Sequence, residues 1–192
     1  MRTVTYGGAV SLDGFLADAS GAVDWLHFSK DVQKEMAEFW KEVDVMLMGR
    51  KTWAVATGSL ADTEEAKEVE AALEKKSRKR KEPKIRTYVF SRTLKGIDKP
   101  GAELVKDNAA AFVRDLKERP GGRIFLMGGG ELAQSLIAED LVDEIGLNIH
   151  PILLGSGPPV FRDPGHRVKF TLKECRQIDG GCVLVKYVLA RK

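Results

Sequence analysis

Hydrophobic positions along this chain follow two periods, one typical of strands and one typical of helices. Residues 3–10 alternate between apolar and polar side chains, which predicts a half-buried strand. Near residues 30–42 apolar side chains recur three and four positions apart, which predicts an amphipathic helix. Short apolar runs at 43–48, 85–91 and 123–127 predict buried strands. Strands and helices therefore alternate from the start of the chain.

Further helices are predicted between these strands. One short helix covers residues 52–56, and a long polar one covers about 62–80. Another begins after Asn108, a good N-cap residue, and stops before Pro120. A last helix runs from the glycines at 128–130 to about Glu139.

The final third of the chain shows strand signals alone, at 142–154, 169–178 and 182–190. If Asp179 and Gly180 form a two-residue hairpin loop, Cys182 lies opposite Gln177, and its geometry with Cys175 does not suit a disulfide. The element order predicts an α/β fold: a mixed, mostly parallel central sheet with helices on both faces and an antiparallel C-terminal hairpin. No linker divides the chain, so residues 1–192 are predicted to form a single domain.

Composition narrows the class of partner. The net charge of +3 is too small to indicate a nucleic-acid partner, and the basic run at 75–81 contains no aromatic residues that could stack on bases. No apolar run is long enough to cross a bilayer, and the N-terminus lacks the pattern of a signal peptide. We therefore expect a cytoplasmic protein whose partner is a small molecule, with no role for nucleic acid or membrane.

Three predicted strands end in residues suited to binding anions. Residues 48–53 read Met-Gly-Arg-Lys-Thr-Trp, residues 90–93 read Phe-Ser-Arg-Thr, and three glycines follow the strand at 123–127. Ligands of open α/β sheets collect beyond the carboxyl ends of strands, where arginines and close backbone approach suit phosphates. The first two patterns are also typical of ordinary polar turns. Together the three indicate a cofactor that carries a diphosphate and a further phosphate.

Residues 9–17 form a fourth feature, Ala-Val-Ser-Leu-Asp-Gly-Phe-Leu-Ala, directly after the first strand. A mobile loop of this composition could cover a flat ring and exclude water from a hydride transfer. The Asp-Gly pair is equally typical of a plain surface turn.

The order of these four motifs resembles the dihydrofolate reductase superfamily. Residues 150–161, which read His-Pro-Ile-Leu-Leu-Gly-Ser-Gly-Pro-Pro-Val-Phe, resemble one branch more closely: the reductase domain of riboflavin biosynthesis, found as the C-terminal half of bifunctional deaminase-reductases. The resemblance spans about residues 3–190 and implies a three-layer, dihydrofolate-reductase-like fold.

The resemblance also implies NADPH as the cofactor. Ala9 would hold the nicotinamide carboxamide through its backbone, and Leu16 of the covering loop would lie against the ring. The residues implied to hold the phosphates and the adenosine are Gly49, Arg50, Lys51, Thr52, Ser91 and Arg92, with the two arginines near the 2′-phosphate. Those implied to pass under the diphosphate are Gly128, Gly129, Gly130, Glu131 and Leu132.

Three departures from the family pattern bear on the substrate. Folate reductases place an acid on the helix after the covering loop, where this chain has Gln33, with Asp31 nearby; a pterin therefore lacks its usual anchor. Glu131 stands where folate enzymes can carry a base, so a preference for NADPH must rest on Arg50 and Arg92. Residues 50–59 lack the Thr-Val and Asn-Pro stretch of the riboflavin branch, and no zinc-deaminase signature occurs.

The implied reaction is hydride transfer to a C=O or C=N carbon together with one proton. Asp13 and Asp31 are candidate proton donors, although each also suits a structural role and a water could serve instead. Trp25 could line the substrate pocket or pack in the core, and His27, His150 and His166 are expected to bind no metal. We therefore predict a reductase of a small heterocycle such as 5-amino-6-(5-phosphoribosylamino)uracil. The alternatives are a dihydrofolate reductase and a non-catalytic nucleotide-binding domain. A homodimer through the terminal strands is expected in either case.

Overall fold

The computed structural model describes residues 1–57, 85–128 and 130–191. In this part of the chain eight strands form one sheet, in the order β4-β3-β2-β5-β1-β6-β8-β7. The strands are β1 (Val4–Ser11), β2 (Val43–Gly49), β3 (Arg86–Phe90), β4 (Ala102–Val105), β5 (Arg123–Met127), β6 (Glu144–His150), β7 (Phe170–Ile178) and β8 (Cys182–Leu189). All pairs from β4 to β6 are parallel, whereas β8 is antiparallel to β6 and to β7. The predicted mixed sheet with an antiparallel C-terminal hairpin is confirmed.

Four α-helices occur in the described residues: α1 (Lys30–Glu42), α2 (Arg50–Ala56), α3 (Ala109–Glu118) and α4 (Glu131–Ala138). The side chain of Ser29 caps α1 by accepting from the backbone N–H of Val32, and Asn108 caps α3 in the predicted way by accepting from Ala111. The long helix predicted at about 62–80 lies outside the described residues. Every helix in the described part of the chain is too short or too polar to span a bilayer.

Helices cover both faces of the sheet because side chains alternate along the strands. Ile124 and Leu126 of β5 are fully buried in the core that includes the inner sides of α3 and α4. Phe125 points to the opposite face, where its ring lies 5.2 Å from the rings of both Phe39 and Trp40 of α1. The result is the predicted three-layer arrangement.

Three details differ from the sequence-based prediction. Strand β4 was not predicted; it is four residues long, and pairing with β3 gives it its conformation. The strand predicted at 142–154 ends at His150, because Pro151 cannot donate to a ladder and the chain turns there. The hairpin loop has three residues, Asp179–Gly181, so Cys182 lies opposite Ile178 rather than Gln177.

Ion pairs fasten the amino-terminal edge of the sheet. The ammonium of Lys117, whose side chain is 2% exposed, lies 2.6 Å from Oδ2 of Asp143, and the same oxygen accepts from the backbone N–H of Val4. Arg191 contacts the other oxygen of Asp143. These contacts join α3, β1 and the start of β6 at the end of the molecule opposite to the predicted ligand site.

Candidate active site

A gap opens in the sheet where β1 extends past β5. The ladder between the two strands ends at Gly7 and Met127, while the ladder between β1 and β6 continues to Ser11 and His150. From Gly8 onward, one edge of the β1 backbone therefore has no β5 partner. Ala9, predicted to hold a carboxamide through its backbone, lies in this stretch and is partly exposed.

The glycine loop after β5 packs tightly against α2. Gly128 has φ of +84°, and a Cβ atom built there would lie 2.0 Å from Oγ1 of Thr52. Both the backbone conformation and the contact require a glycine. Gly130 has φ of +76° and precedes α4, whose first residue is Glu131. The loop thus presents bare backbone beside the end of β2. Gly129 is outside the described residues.

Cations gather beside this loop at the ends of β2 and β3. Gly49 and Phe90 are register partners, so Arg50 and Arg92 follow neighbouring positions on adjacent parallel strands, which lie about 4.8 Å apart. Arg50, Lys51 and Arg92 are exposed, and no carboxylate in residues 1–57, 85–128 and 130–191 pairs with any of them. This edge of the sheet therefore carries uncompensated positive charge.

Two other predicted residues have local partners. The hydroxyl oxygen of Ser91 accepts from the backbone N–H groups of Thr93 and Leu94 at 3.2 and 3.1 Å, which stabilises the turn carrying Arg92. Leu132 is partly buried and packs against the core. Their predicted contacts with a cofactor stay predictions.

Arg162 is a further cation at this site that the sequence did not single out. Its Nε lies 3.6 Å from the Cβ position of Gly130, and no carboxylate in the described residues pairs with it. The side chain of Gln134 donates to the backbone carbonyl of Asp163, which holds this segment against α4. Arg162 thus supplies positive charge near Glu131. Its only sequence signal is its position directly after the Pro-Val-Phe stretch, because the approach to Gly130 depends on tertiary packing.

Asp13 fastens the covering loop to the segment after β6. Its carboxylate accepts from the Ser11 hydroxyl at 2.6 Å and from the backbone N–H groups of Leu154 and Gly155, at 3.1 and 2.7 Å for the nearer oxygens. The hydrogen bond from Ser11, followed by those from the two backbone amides, holds the pKa of Asp13 below its ordinary value. Asp13 is therefore well suited to hold the loop and poorly suited to release a proton near neutral pH.

The same loop places Leu16 over the gap. Its backbone N–H donates to the carbonyl of Pro158, and Phe15 forms a bridge with Pro159. One methyl group of Leu16 lies 4.0 Å from the Cβ position of Gly8, at the start of the stretch of β1 that has no β5 partner. Leu16 and Ala9, predicted to contact the same ring, are thus brought to one place.

The remaining candidates lie on the α1 side of the sheet. Asp31 is exposed in the first turn of α1, and Gln33 is exposed and donates to the carbonyl of Phe28. The Trp25 ring packs edge-on against His150, with centroids 5.2 Å apart. His150 is buried and accepts from the backbone N–H of His27. Trp25 therefore lies at the carboxyl end of β6, whereas Asp31 faces solvent.

The strand order, the gap beside β1 and the glycine loop define an α/β domain of the dihydrofolate-reductase-like class. Three solved structures have this fold. A candidate riboflavin biosynthesis protein from Shewanella sp. PV-4 matches with a TM-score of 0.78 and 24% identity over the full length of both chains. The Thermotoga maritima diaminohydroxyphosphoribosylaminopyrimidine deaminase/5-amino-6-(5-phosphoribosylamino)uracil reductase matches with a TM-score of 0.66 and 18% identity, covering 98% of this chain and 57% of that one. Dihydrofolate reductase from Enterococcus faecalis, complexed with NADP(H), matches with a TM-score of 0.63 and 11% identity, covering 98% and 97% of the two chains.

Sequence comparison resolves the family within this class. Residues 2–184 match the RibD C-terminal domain. The Bacillus subtilis (strain 168) protein YyaP is 36% identical over 179 residues, covering 93% of this chain and 90% of YyaP. The chain belongs to the RibD C-terminal domain family.

Proposed function

We propose that this protein is an NADPH-dependent reductase of a small heterocycle, of the 5-amino-6-(5-phosphoribosylamino)uracil reductase type. One observation carries the proposal: the ends of β3, β2 and β5 bring unpaired arginines and a bare glycine backbone together, directly beside the gap next to β1. That combination matches a dinucleotide with a diphosphate, an additional phosphate and a flat ring.

The residues present fit this cofactor. Arg50, Lys51 and Arg92 would hold the 2′-phosphate, and Gly128 would allow the diphosphate to approach the backbone, where Arg162 adds positive charge. The rest of the set is as predicted: Gly49, Thr52, Ser91, Gly129, Gly130, Glu131 and Leu132 beside the phosphates, with Ala9 and Leu16 at the nicotinamide. When bound, NADPH supplies the hydride, and the protein provides orientation and a dry site.

The proposed proton source is a water molecule or Asp31. The contacts of Asp13 favour a positioning role in the covering loop. Trp25 is proposed to line the substrate pocket, since it packs beside His150 at the end of β6.

Membership of the RibD C-terminal domain family and the likeness to the Thermotoga maritima reductase support a pyrimidine substrate. Neither Gln33 nor Asp31 provides a buried carboxylate on α1, which argues against a folate pterin. We further propose that the protein acts in the cytoplasm as a homodimer. Strand β7, at the edge of the sheet with Leu172 exposed, is the proposed dimer contact.

The test is turnover of NADPH by the full chain, followed through the absorbance of the reduced nicotinamide. We expect oxidation of NADPH in the presence of 5-amino-6-(5-phosphoribosylamino)uracil, and much less with NADH. Cofactor binding without turnover on any pyrimidine or pterin would favour a non-catalytic nucleotide-binding domain. Turnover of dihydrofolate with tight binding of methotrexate would favour a folate reductase.

A further inference from the structure

Three buried polar side-chain atoms have no hydrogen-bond partner in the described residues: Nε1 of Trp25, Nε1 of Trp40 and Oδ1 of Asn148. Such atoms are rare in folded proteins, because an unmade hydrogen bond in the interior costs about 1–3 kcal/mol. All three lie on the α1 face of the sheet. Their grouping calls for a partner that is a ligand.

Asn148 marks the carboxyl-terminal end of this group. It is the register partner of Ala9 on β1, so the two side chains leave the same face of the sheet. His150 lies two residues further along the same face and contacts the Trp25 ring. Asn148 and Trp25 are thus adjacent to the stretch of β1 proposed to hold the nicotinamide.

Trp40 closes the other end. Its ring packs on Phe125, which lies 3.6 Å from the Cβ position of Gly7. Gly146, the register partner of Gly7, has nothing within 4 Å of its own Cβ position, so the space above it is open. We name this region the Asn148 hollow; it is formed by Ala9, Trp25, Trp40, Gly146 and Asn148. From Gly146 to His150 it extends four residues, about 13 Å along the strand.

The charged groups beside the hollow neutralise one another. Arg176 contacts Glu35 and Glu174, each at 2.7 Å, and Lys186, the register partner of Gly146, lies 2.9 Å from Glu174. Two cations therefore face two carboxylates. No spare carboxylate remains in this cluster to pair with a cationic ligand.

We propose that the Asn148 hollow is the substrate subsite and that it selects an uncharged lactam ring, with Asn148 and Trp25 as the residues that recognise it. A side-chain amide offers one donor and one acceptor side by side, which complements a lactam edge made of N–H and C=O. The Trp25 indole N–H donates to a second ring carbonyl. A carboxylate would instead complement an amidinium edge, which carries two donors.

This inference rests on the proposed function, whose reductase reaction needs a ring next to the nicotinamide, but its test does not require turnover. The probes are 5,6-diaminouracil and 2,4,5,6-tetraaminopyrimidine, which differ only in having carbonyls or amino groups at two ring positions. Binding to the full chain is measured by calorimetry with and without NADPH. The variants are Asn148→Asp and Trp25→Phe, with Asn108→Asp and Trp53→Phe as matched controls; at the α3 N-cap, aspartate replaces asparagine without loss of capping.

We expect the wild type to prefer the uracil and Asn148→Asp to reverse the preference, with each affinity changing about 5- to 150-fold, the range of a bidentate contact. Trp25→Phe keeps the ring but should weaken uracil binding about fivefold or more. The inference is overturned if the wild type binds neither probe, or if the variants bind both as the controls do. Absence of NADPH binding or turnover, with the reversal intact, would count against the proposed function alone and support the subsite.

Discussion

The two edges of the central sheet treat charge in opposite ways. At the amino-terminal edge, Lys117, Arg2 and Arg123 each contact a carboxylate. At the carboxyl-terminal edge, Arg50 and Arg92 have no such partner in the described residues. The charges of the first edge complete one another within the protein, whereas those of the second are available to an anion. Stability should therefore depend on the first edge and ligand binding on the second.

The largest effect expected is on stability, from Lys117→Met. This change leaves the Asp143 carboxylate, 16% exposed, without its buried ammonium, which should lower the free energy of unfolding by about 3 kcal/mol. Urea denaturation measures it. The control is Lys41→Met, which breaks an exposed pair with Glu38 and should cost less than about 1 kcal/mol. Equal losses in the two variants would contradict the special role of the amino-terminal edge.

The next effect concerns cofactor choice. We expect the double variant R50A/R92A to raise the KM for NADPH about 100-fold, since each charge-assisted hydrogen bond contributes roughly 1.5–3 kcal/mol. The KM for NADH, which lacks the 2′-phosphate, should change little. Arg86→Ala, at the exposed start of β3, serves as the control. If R50A/R92A weakens NADH as strongly as NADPH, these arginines do not read the 2′-phosphate.

A smaller effect is expected from loosening the covering loop. Asp13→Ala removes the acceptor for Ser11, Leu154 and Gly155, and we expect kcat to fall roughly tenfold through misplacement of the loop. Asp18→Ala is the control, because Asp18 accepts from Ser20 and Ala22 within its own turn.

The pH dependence follows from the direction of the Asp13 shift. Because the pKa of Asp13 is lowered in the folded protein, the contacts are fully present above its ordinary value of about 3.9 and are lost as the pH falls through the folded value. The loop contribution to kcat should thus be constant from about pH 5 upward. A loss of that contribution near neutral pH, seen in wild type and absent from Asp13→Ala, would contradict it.

The smallest effect separates the two phosphate regions. Arg162 lies beside Gly130 rather than at the ends of β2 and β3, so Arg162→Ala should raise the KM for NADPH and NADH equally, by about fivefold for an exposed contact. Arg167→Ala, an exposed arginine five residues away, should leave both unchanged. An effect on NADPH alone would move Arg162 to the 2′-phosphate.

Much of the layout could be predicted from local patterns. The period at 30–42, the Asn108 cap and the apolar runs at 43–48 and 123–127 each depend on neighbouring residues, and the structure has the corresponding elements. Strand β4 could not be predicted in this way, because its four residues are extended only through pairing with β3. The hairpin register also failed, since one additional loop glycine with positive φ shifts every cross-strand pair.

The candidate site divides along the same line. Its glycines and the cations of residues 49–52 stand out in the sequence because they follow strand ends, and strand ends of a parallel sheet share one edge. Asn148 and Arg162 did not stand out: one is a polar residue inside a strand, and the other an exposed arginine in an irregular segment. By itself the sequence determined which elements form and that an anion site lies at their ends, since these depend on short-range periodicity and residue chemistry. Only the tertiary structure decided which side chains from distant segments meet there, because strand order and register, which bring Ala9 beside Asn148 and Arg162 beside Gly130, are settled by long-range packing.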